Sequence, residues 1–261
     1  MSSNKSSNKN SNHPEQWQTP RIVSREQWRV ERRQLLDKEK AFTRQRDQLS
    51  AERRALPWVR VDKPYVFQGG QGTKRLVDLF AGRSQLIVYH FMFGPGWEEG
   101  CTGCSFLADH IDGANLHLAH HDVALVAVSR APWPEFQAFK QRMGWRFDWL
   151  SSAGSDFNFD YQVSASPEQI AAGEVEYNYA PSPQPMEDMH GISLFFKDAA
   201  GGIFHTYSSY ARGCDLLVGA YNYLDLTPKG RNEAGIMDWV RHHDRYAEQV
   251  ASPSTSSDCC G

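Results

Sequence analysis

Two short runs of the chain, Gln85–Phe93 (QLIVYHFMF) and Val123–Ser129 (VALVAVS), are apolar and aromatic almost throughout. Runs of this kind suit strands covered on both faces. A helical stretch, Cys101–His120, is predicted between them. After the second run, Phe136, Phe139 and Met143 recur at spacings of three and four, which predicts an amphipathic helix over Pro132–Met143. Strand, helix, strand, helix in that order predicts parallel strands with helices laid on them. Ile192–Lys197 and Ile203–Ser208 flank Asp198-Ala-Ala-Gly-Gly202 and predict an antiparallel hairpin that closes the sheet. The expected fold class is α/β, a central mixed sheet flanked by helices.

Ahead of this core lies a different pattern. Trp28, Leu35, Phe42, Leu49 and Leu56 fall seven apart among Arg, Lys, Glu, Asp and Gln, a narrow apolar stripe on a helix that Pro57 ends. The positions three and four beyond each stripe residue are mostly charged, so no coiled-coil seam is available. The helix is expected to pack on its own domain or on a sister subunit, which would give a homodimer. Residues 24–56 hold ten Lys/Arg against six Asp/Glu, read as a solvated face rather than an RNA-binding arm.

The chain then divides into a disordered tail (1–23), this amphipathic helix (24–57), one domain (58–250) and a flexible tail (251–261) with Cys259 and Cys260. Within the domain, a turn is predicted at Gly69-Gly70-Gln71-Gly72 and a loop-rich insertion at about 149–189. Further helices are predicted at Cys214–Leu224 and Met237–Gln249.

A net charge of −3 argues against nucleic acid as a partner. The longest apolar run, Leu86–Phe93, is far short of the roughly 20 residues that cross a bilayer, so no membrane partner is expected. The opening MSSNKSSNKNSNHPEQ lacks the apolar core of a secretory signal, which predicts a cytoplasmic protein. Thiols there stay reduced, so the five cysteines read as redox-active, metal-binding or inert rather than as structural disulfides.

The chemistry concentrates at Cys101-Thr-Gly-Cys104, after a buried strand and at the expected start of a helix. The free N–H groups and positive dipole end of a first helical turn favour a thiolate there. Cys101 is the expected nucleophile, and Cys104 stands close enough to resolve a mixed disulfide. Glu99 is a candidate proton acceptor for Cys104; a solvated or helix-capping role is the alternative for Glu98 and Glu99.

The leading reading is a thiol–disulfide oxidoreductase that needs no cofactor. It acts on a small-molecule or protein disulfide, or a peroxide, and is returned by a reductant. A competing reading uses Cys101 and Cys104 with His190 and His90 to hold copper or zinc. His190 and His205 belong to the closing hairpin, and either could supply a metal ligand or a proton donor; His110, His117, His120 and His121 read as hydrogen-bonded or surface groups. A third reading is an adaptor that recruits a partner through the helix at 25–56. Cys214 reads as a packed thiol, and Cys259-Cys260 either as an idle tail or as a relay for electrons or metal.

The blocks FMFGPGWEEGCTGCSFLADHIDG, RALPWVRVDKPYVF, RSQLIVYHFMF, LVAVSRAP, RMGWRFDWLSSAGSDFN, IFHTYSSYARG and YNYLDLTPKGRNE resemble the bacterial thioredoxin-like proteins of domain-of-unknown-function family 899. The resemblance runs from about Ser24 to Tyr246. It implies a thioredoxin-like fold with an N-terminal helical extension and a dithiol at Cys101 and Cys104, and it implies no established substrate. The chain departs from ordinary thioredoxins in its Thr-Gly dipeptide and in lacking a Trp just before Cys101. Gly191, after His190, stands where thioredoxins carry a cis-proline, and its small size is expected to leave room for a bulkier ligand or a metal.

Overall fold

The computed structural model describes residues 20–246. The tail expectations for residues 1–19 and 251–261, Cys259 and Cys260 included, lie outside the described residues. The first helix, α1 (Arg25–Arg54), begins at a reciprocal cap: Ser24 Oγ accepts the Gln27 N–H while the Gln27 side chain accepts the Ser24 N–H. Arg53 and Arg54 in its last turn complement the negative end of the helix dipole. No residue of α1 is buried.

The body then runs β1 (Val59–Arg60), β2 (Val66–Gly69), β3 (Gly72–Arg75), a 3-10 turn (Leu76–Phe80), β4 (Gln85–His90), α2 (Thr102–Ala108), α3 (Ile111–His120), β5 (Val123–Ser129) and α4 (Trp133–Arg142). It continues through β6 (Asp148–Ser151), α5 (Phe157–Asp160), α6 (Pro167–Ala172), β7 (Glu176–Tyr177), β8 (Ala180–Pro181), β9 (Gly191–Lys197) and β10 (Ile203–Tyr210). A 3-10 segment (Ala211–Leu217) and α7 (Gly219–Leu224) follow. Among the described residues, eight strands form one sheet in the order β1-β10-β9-β4-β5-β6-β2-β3.

β4 runs parallel to β5 and β5 to β6, while β9 lies antiparallel on the other side of β4 and pairs with β10 as a hairpin. Two parallel strands joined by a helical crossover, with an antiparallel hairpin beside the first, make a thioredoxin-like fold. Along β4 the side chains alternate. Leu86 and Val88 enter a core with Phe67, Val126, Phe157 and Phe195; Tyr89, and Phe91 just beyond the strand, enter a second core with Phe136, Trp149 and Ile192.

Three expectations about elements need correction. The helix predicted over Cys101–His120 is two helices, broken at Asp109 and His110. The His110 N–H bonds Leu107 O, its Nδ1 bonds Phe106 O at 2.8 Å, and its Nε2 accepts the Ala220 N–H at 3.0 Å, which ties the break to α7. The stretch from 149 to 189 is more ordered than a loop: it holds the end of β6, α5, the small β7–β8 hairpin and α6, whose start is a Ser166–Gln169 capping box. The helix predicted at Met237–Gln249 is absent over its described part. Met237 sits at φ +60° and only His243–Arg245 form a 3-10 turn, because these side chains are drawn one by one onto the neighbouring site.

Candidate active site at the Cys101–Cys104 pair

The chain leaves β4, turns at Gly94-Pro95-Gly96, and is returned by the Cys101 N–H to Met92 O bond at 3.3 Å. Gly100 lets it pass closely over the core: a Cβ there would lie 2.7 Å from the rings of both Phe91 and Phe139. Cys101 is then the N-cap of α2, partly buried, and Cys104 lies one turn on, 2% exposed.

The two thiols are driven in opposite directions. Hydrogen bonds from the Cys104 thiol and from the Cys104 and Gly103 backbone N–H groups favour the Cys101 thiolate over the opposing effect of burial, and bring its pKa down to about 6. Burial, then the neighbouring Cys101, pushes Cys104 well above the ordinary thiol value, against hydrogen bonds from Tyr89 and the Met92 N–H. Both effects favour keeping the proton on the inner sulfur and losing it from the outer one. With Cys104 as a thiol, the single Tyr89 hydroxyl proton goes to Cys104 O at 3.3 Å, anchoring the first turn of α2 to the sheet.

A strap formed by residues 237–246 crosses this turn. Met237 Sδ lies 2.9 Å from where a Gly103 Cβ would stand, so the glycine lets the strap close over the pair. Trp239 packs edge-on to Phe106 with ring centroids 5.5 Å apart, and Val240 is buried. The buried His242 bonds Gly100 O through Nε2 at 3.0 Å. Arg142 joins Asp244 at 2.7 Å and Glu99 at 2.5 Å, and Arg245 also pairs with Glu99.

Glu99, the candidate proton acceptor, is therefore engaged by two guanidinium groups, and among the described residues no hydrogen bond joins it to either sulfur. Burial raises its pKa, but the bonds from Arg142 and Arg245 outweigh that and hold it below the ordinary carboxylate value. It fastens the strap. Sequence reasoning missed Met237 and His242 because the strap has no periodicity that marks it, and Arg142, at the end of α4, because its partner Asp244 lies on that strap.

The residues of the copper or zinc alternative do not converge. Tyr89 turns toward the sulfurs, so its neighbour His90 turns to the opposite face of the sheet. There His90 Nε2 meets Ser193 Oγ at 2.8 Å, Ser193 meets Ser208 at 2.8 Å, and His205 Nε2 meets Ser208 at 2.7 Å. Burial, then His205, lowers the His90 pKa to about 3, so the ring is neutral. His190 donates from Nε2 to Ala211 O at 3.2 Å. Among the described residues no three His, Cys, Asp or Glu side chains are grouped to hold a metal ion.

The room expected at Gly191 is also filled. A Cβ there would strike the Tyr210 ring, so glycine at this point admits an aromatic side chain of the chain itself. Cys214 is buried, its thiol directed to Ser209 O at 3.5 Å, and burial pushes its pKa up to about 12.

Several solved structures are similar to this chain at low identity. Peroxiredoxin Q from Xanthomonas campestris is 13% identical, with a TM-score of 0.39 over 66% of this chain and 93% of its own. A peroxiredoxin Q mutant from Xylella fastidiosa is 11% identical, with a TM-score of 0.39 over 60% of this chain and 87% of its own. A protein described as a thiol:disulfide interchange protein DsbE from Chlorobium tepidum is 12% identical, with a TM-score of 0.38 over 63% of this chain and 97% of its own. No curated protein matches the sequence. The family model described as bacterial protein of unknown function (DUF899) matches residues 17–246, and the chain belongs to that family.

Proposed function

We propose that this protein is a thiol–disulfide oxidoreductase in which Cys101 attacks a disulfide or a peroxide and Cys104 resolves the product. The observation that carries the reading is the placement of two sulfurs on one helical turn, Cys101 partly open at the N-cap of α2 and Cys104 buried behind it. Hydrogen bonds in this arrangement favour the thiolate on the outer sulfur, and burial favours the thiol on the inner one. With a disulfide, the Cys101 thiolate displaces one thiolate and forms a mixed disulfide. Cys104 then gives up its proton, attacks Cys101 Sγ, and releases the second thiolate. With a peroxide, Cys101 takes one oxygen as a sulfenic acid and the alcohol leaves; condensation with Cys104 then expels water.

Both routes end at a Cys101–Cys104 disulfide, which an external thiol reductant returns to the dithiol. We assign this cycle to a reducing compartment such as the cytoplasm. Tyr89 favours, through its hydrogen bond, the Cys104 thiolate left when the proton departs, and the strap across Gly103 favours compact substrates.

The test is mass spectrometry of the protein after treatment with oxidised glutathione or with an alkyl hydroperoxide. Wild type is expected to gain one internal disulfide that dithiothreitol reverses. Cys104→Ser should stop at the glutathione adduct or the sulfenic acid, and Cys101→Ser should not react at this site. An unoxidised pair in wild type, or full reaction in Cys101→Ser, contradicts the reading.

A further inference from the structure

Two apolar surfaces have no partner among the described residues. One is the stripe of α1: Trp28, Leu35, Phe42 and Leu49 are 56%, 51%, 66% and 48% exposed. A helix of this length gains most of its stability from packing such a stripe, so water on both sides is a poor resting place for it. The other is a groove of about 740 Å³ on the dithiol face of the sheet, floored by Ile87, Leu125 and Leu194 and walled by Leu107 and Leu217. The helix reaches this groove only through Ser50, Arg53 and Arg54, with Arg53 lying over the Tyr207 ring at 5.6 Å. It therefore leads away from the groove instead of filling it.

The shape and apolar character of the two surfaces favour one occupant. One apolar residue per heptad cannot bury itself in a second copy of the same stripe, because a coiled-coil seam needs two; a sheet groove has no such requirement. Residues 24–56 are basic, with ten Lys/Arg against six Asp/Glu, whereas residues 57–261 are acidic, with fifteen against twenty-four. The groove itself is lined by Arg53 and Arg54 and by no acidic side chain, so the charge balance of the body acts at most as a long-range attraction and the fit in the groove is apolar.

Half-exposed side chains of this size each hold on the order of 100 Å² of surface. Two reciprocal contacts, counting both sides, then reach the range of roughly 1,200–2,000 Å² that stable interfaces bury. We propose that the groove is filled by a second copy of this chain, α1 of each protomer lying across the sheet of the other.

The test is light scattering of the full chain at micromolar concentration, with variants on each surface. Wild type is expected as a dimer. Phe42→Asp on the helix and Thr206→Trp in the groove should each run as a monomer, with association weakened at least about tenfold. An equimolar mixture of the two should associate more strongly than either variant alone and less strongly than wild type, because one intact helix still meets one intact groove.

Phe42 touches no core, so its variant folds; Ile87→Trp serves in the groove if circular dichroism shows that Thr206→Trp does not fold. A monomeric wild type overturns the proposal, as does a monomer carrying a co-purified amphiphile in native mass spectrometry. So does a dimer indifferent to either surface, or one broken by Phe42→Asp and left intact by a folded groove variant.

Discussion

On β4, Tyr89 and His90 are adjacent in sequence and part to opposite faces of the sheet, and the two faces hold polar groups in different ways. On the His90 side a chain of hydrogen bonds, His90–Ser193–Ser208–His205, lies against Phe157 and Tyr161. It is a satisfied internal network apart from His90 Nδ1, which is buried without a hydrogen-bond partner among the described residues. On the Tyr89 side two sulfurs share a helical turn, one of them partly open, with hydrogen bonds that favour its thiolate. The difference separates polar groups that hold a fold together from polar groups arranged to react.

Substitutions should divide along that line. The largest expected effect is on the His90 side: Phe157 is fully buried and packs on Tyr65, Phe67 and Tyr161. Phe157→Ala should lower stability in urea unfolding by about 3–5 kcal/mol. The folded fraction should still alkylate Cys101 as wild type does. A change in Cys101 reactivity with folding intact would break the separation of the faces.

Ser193→Ala removes the hydroxyl between His90 and Ser208 and leaves buried groups unpaired. The expected loss is about 1–3 kcal/mol by the same unfolding assay, again with unchanged thiol oxidation.

How much of this was legible in the sequence follows from what carried each signal. The strands at Val123–Ser129 and Ile192–Lys197 and the helix around Phe136 and Phe139 were readable because continuous apolar runs and a spacing of three and four are written locally. The Cys101–Cys104 spacing was equally local. The side of the sheet that each histidine faces was not, since alternation along β4 decides it and a sequence shows His90 only as a near neighbour of the motif. The strap was invisible for a similar reason: Met237, His242 and Asp244 take their places from Gly103, Gly100 and Arg142, which lie about a hundred residues or more away.

The strap supplies the smallest effect on the dithiol side. Glu99 is partly exposed, so solvent screens its pairs with Arg142 and Arg245, and Glu99→Gln should cost less than about 1 kcal/mol. Its folded pKa lies below the ordinary value of 4.5, so this stabilisation is present above that pH and is lost as pH falls through the folded value. Urea midpoints should therefore differ between Glu99→Gln and wild type at neutral pH and converge in acid. A gap that widened in acid would contradict the assigned pairing.

The central claim is that Cys101 is a thiolate at neutral pH because Cys104 and the first turn of α2 hold it so. The most direct measurement is the rate of iodoacetamide labelling of Cys101 against pH, with the labelled peptide identified by mass spectrometry so that other cysteines do not contribute. The account predicts a rise centred near pH 6, displaced upward in Cys104→Ser by loss of the thiol hydrogen bond. A rise centred at about 8.5, the value of an unperturbed thiol, and unmoved by Cys104→Ser would contradict it.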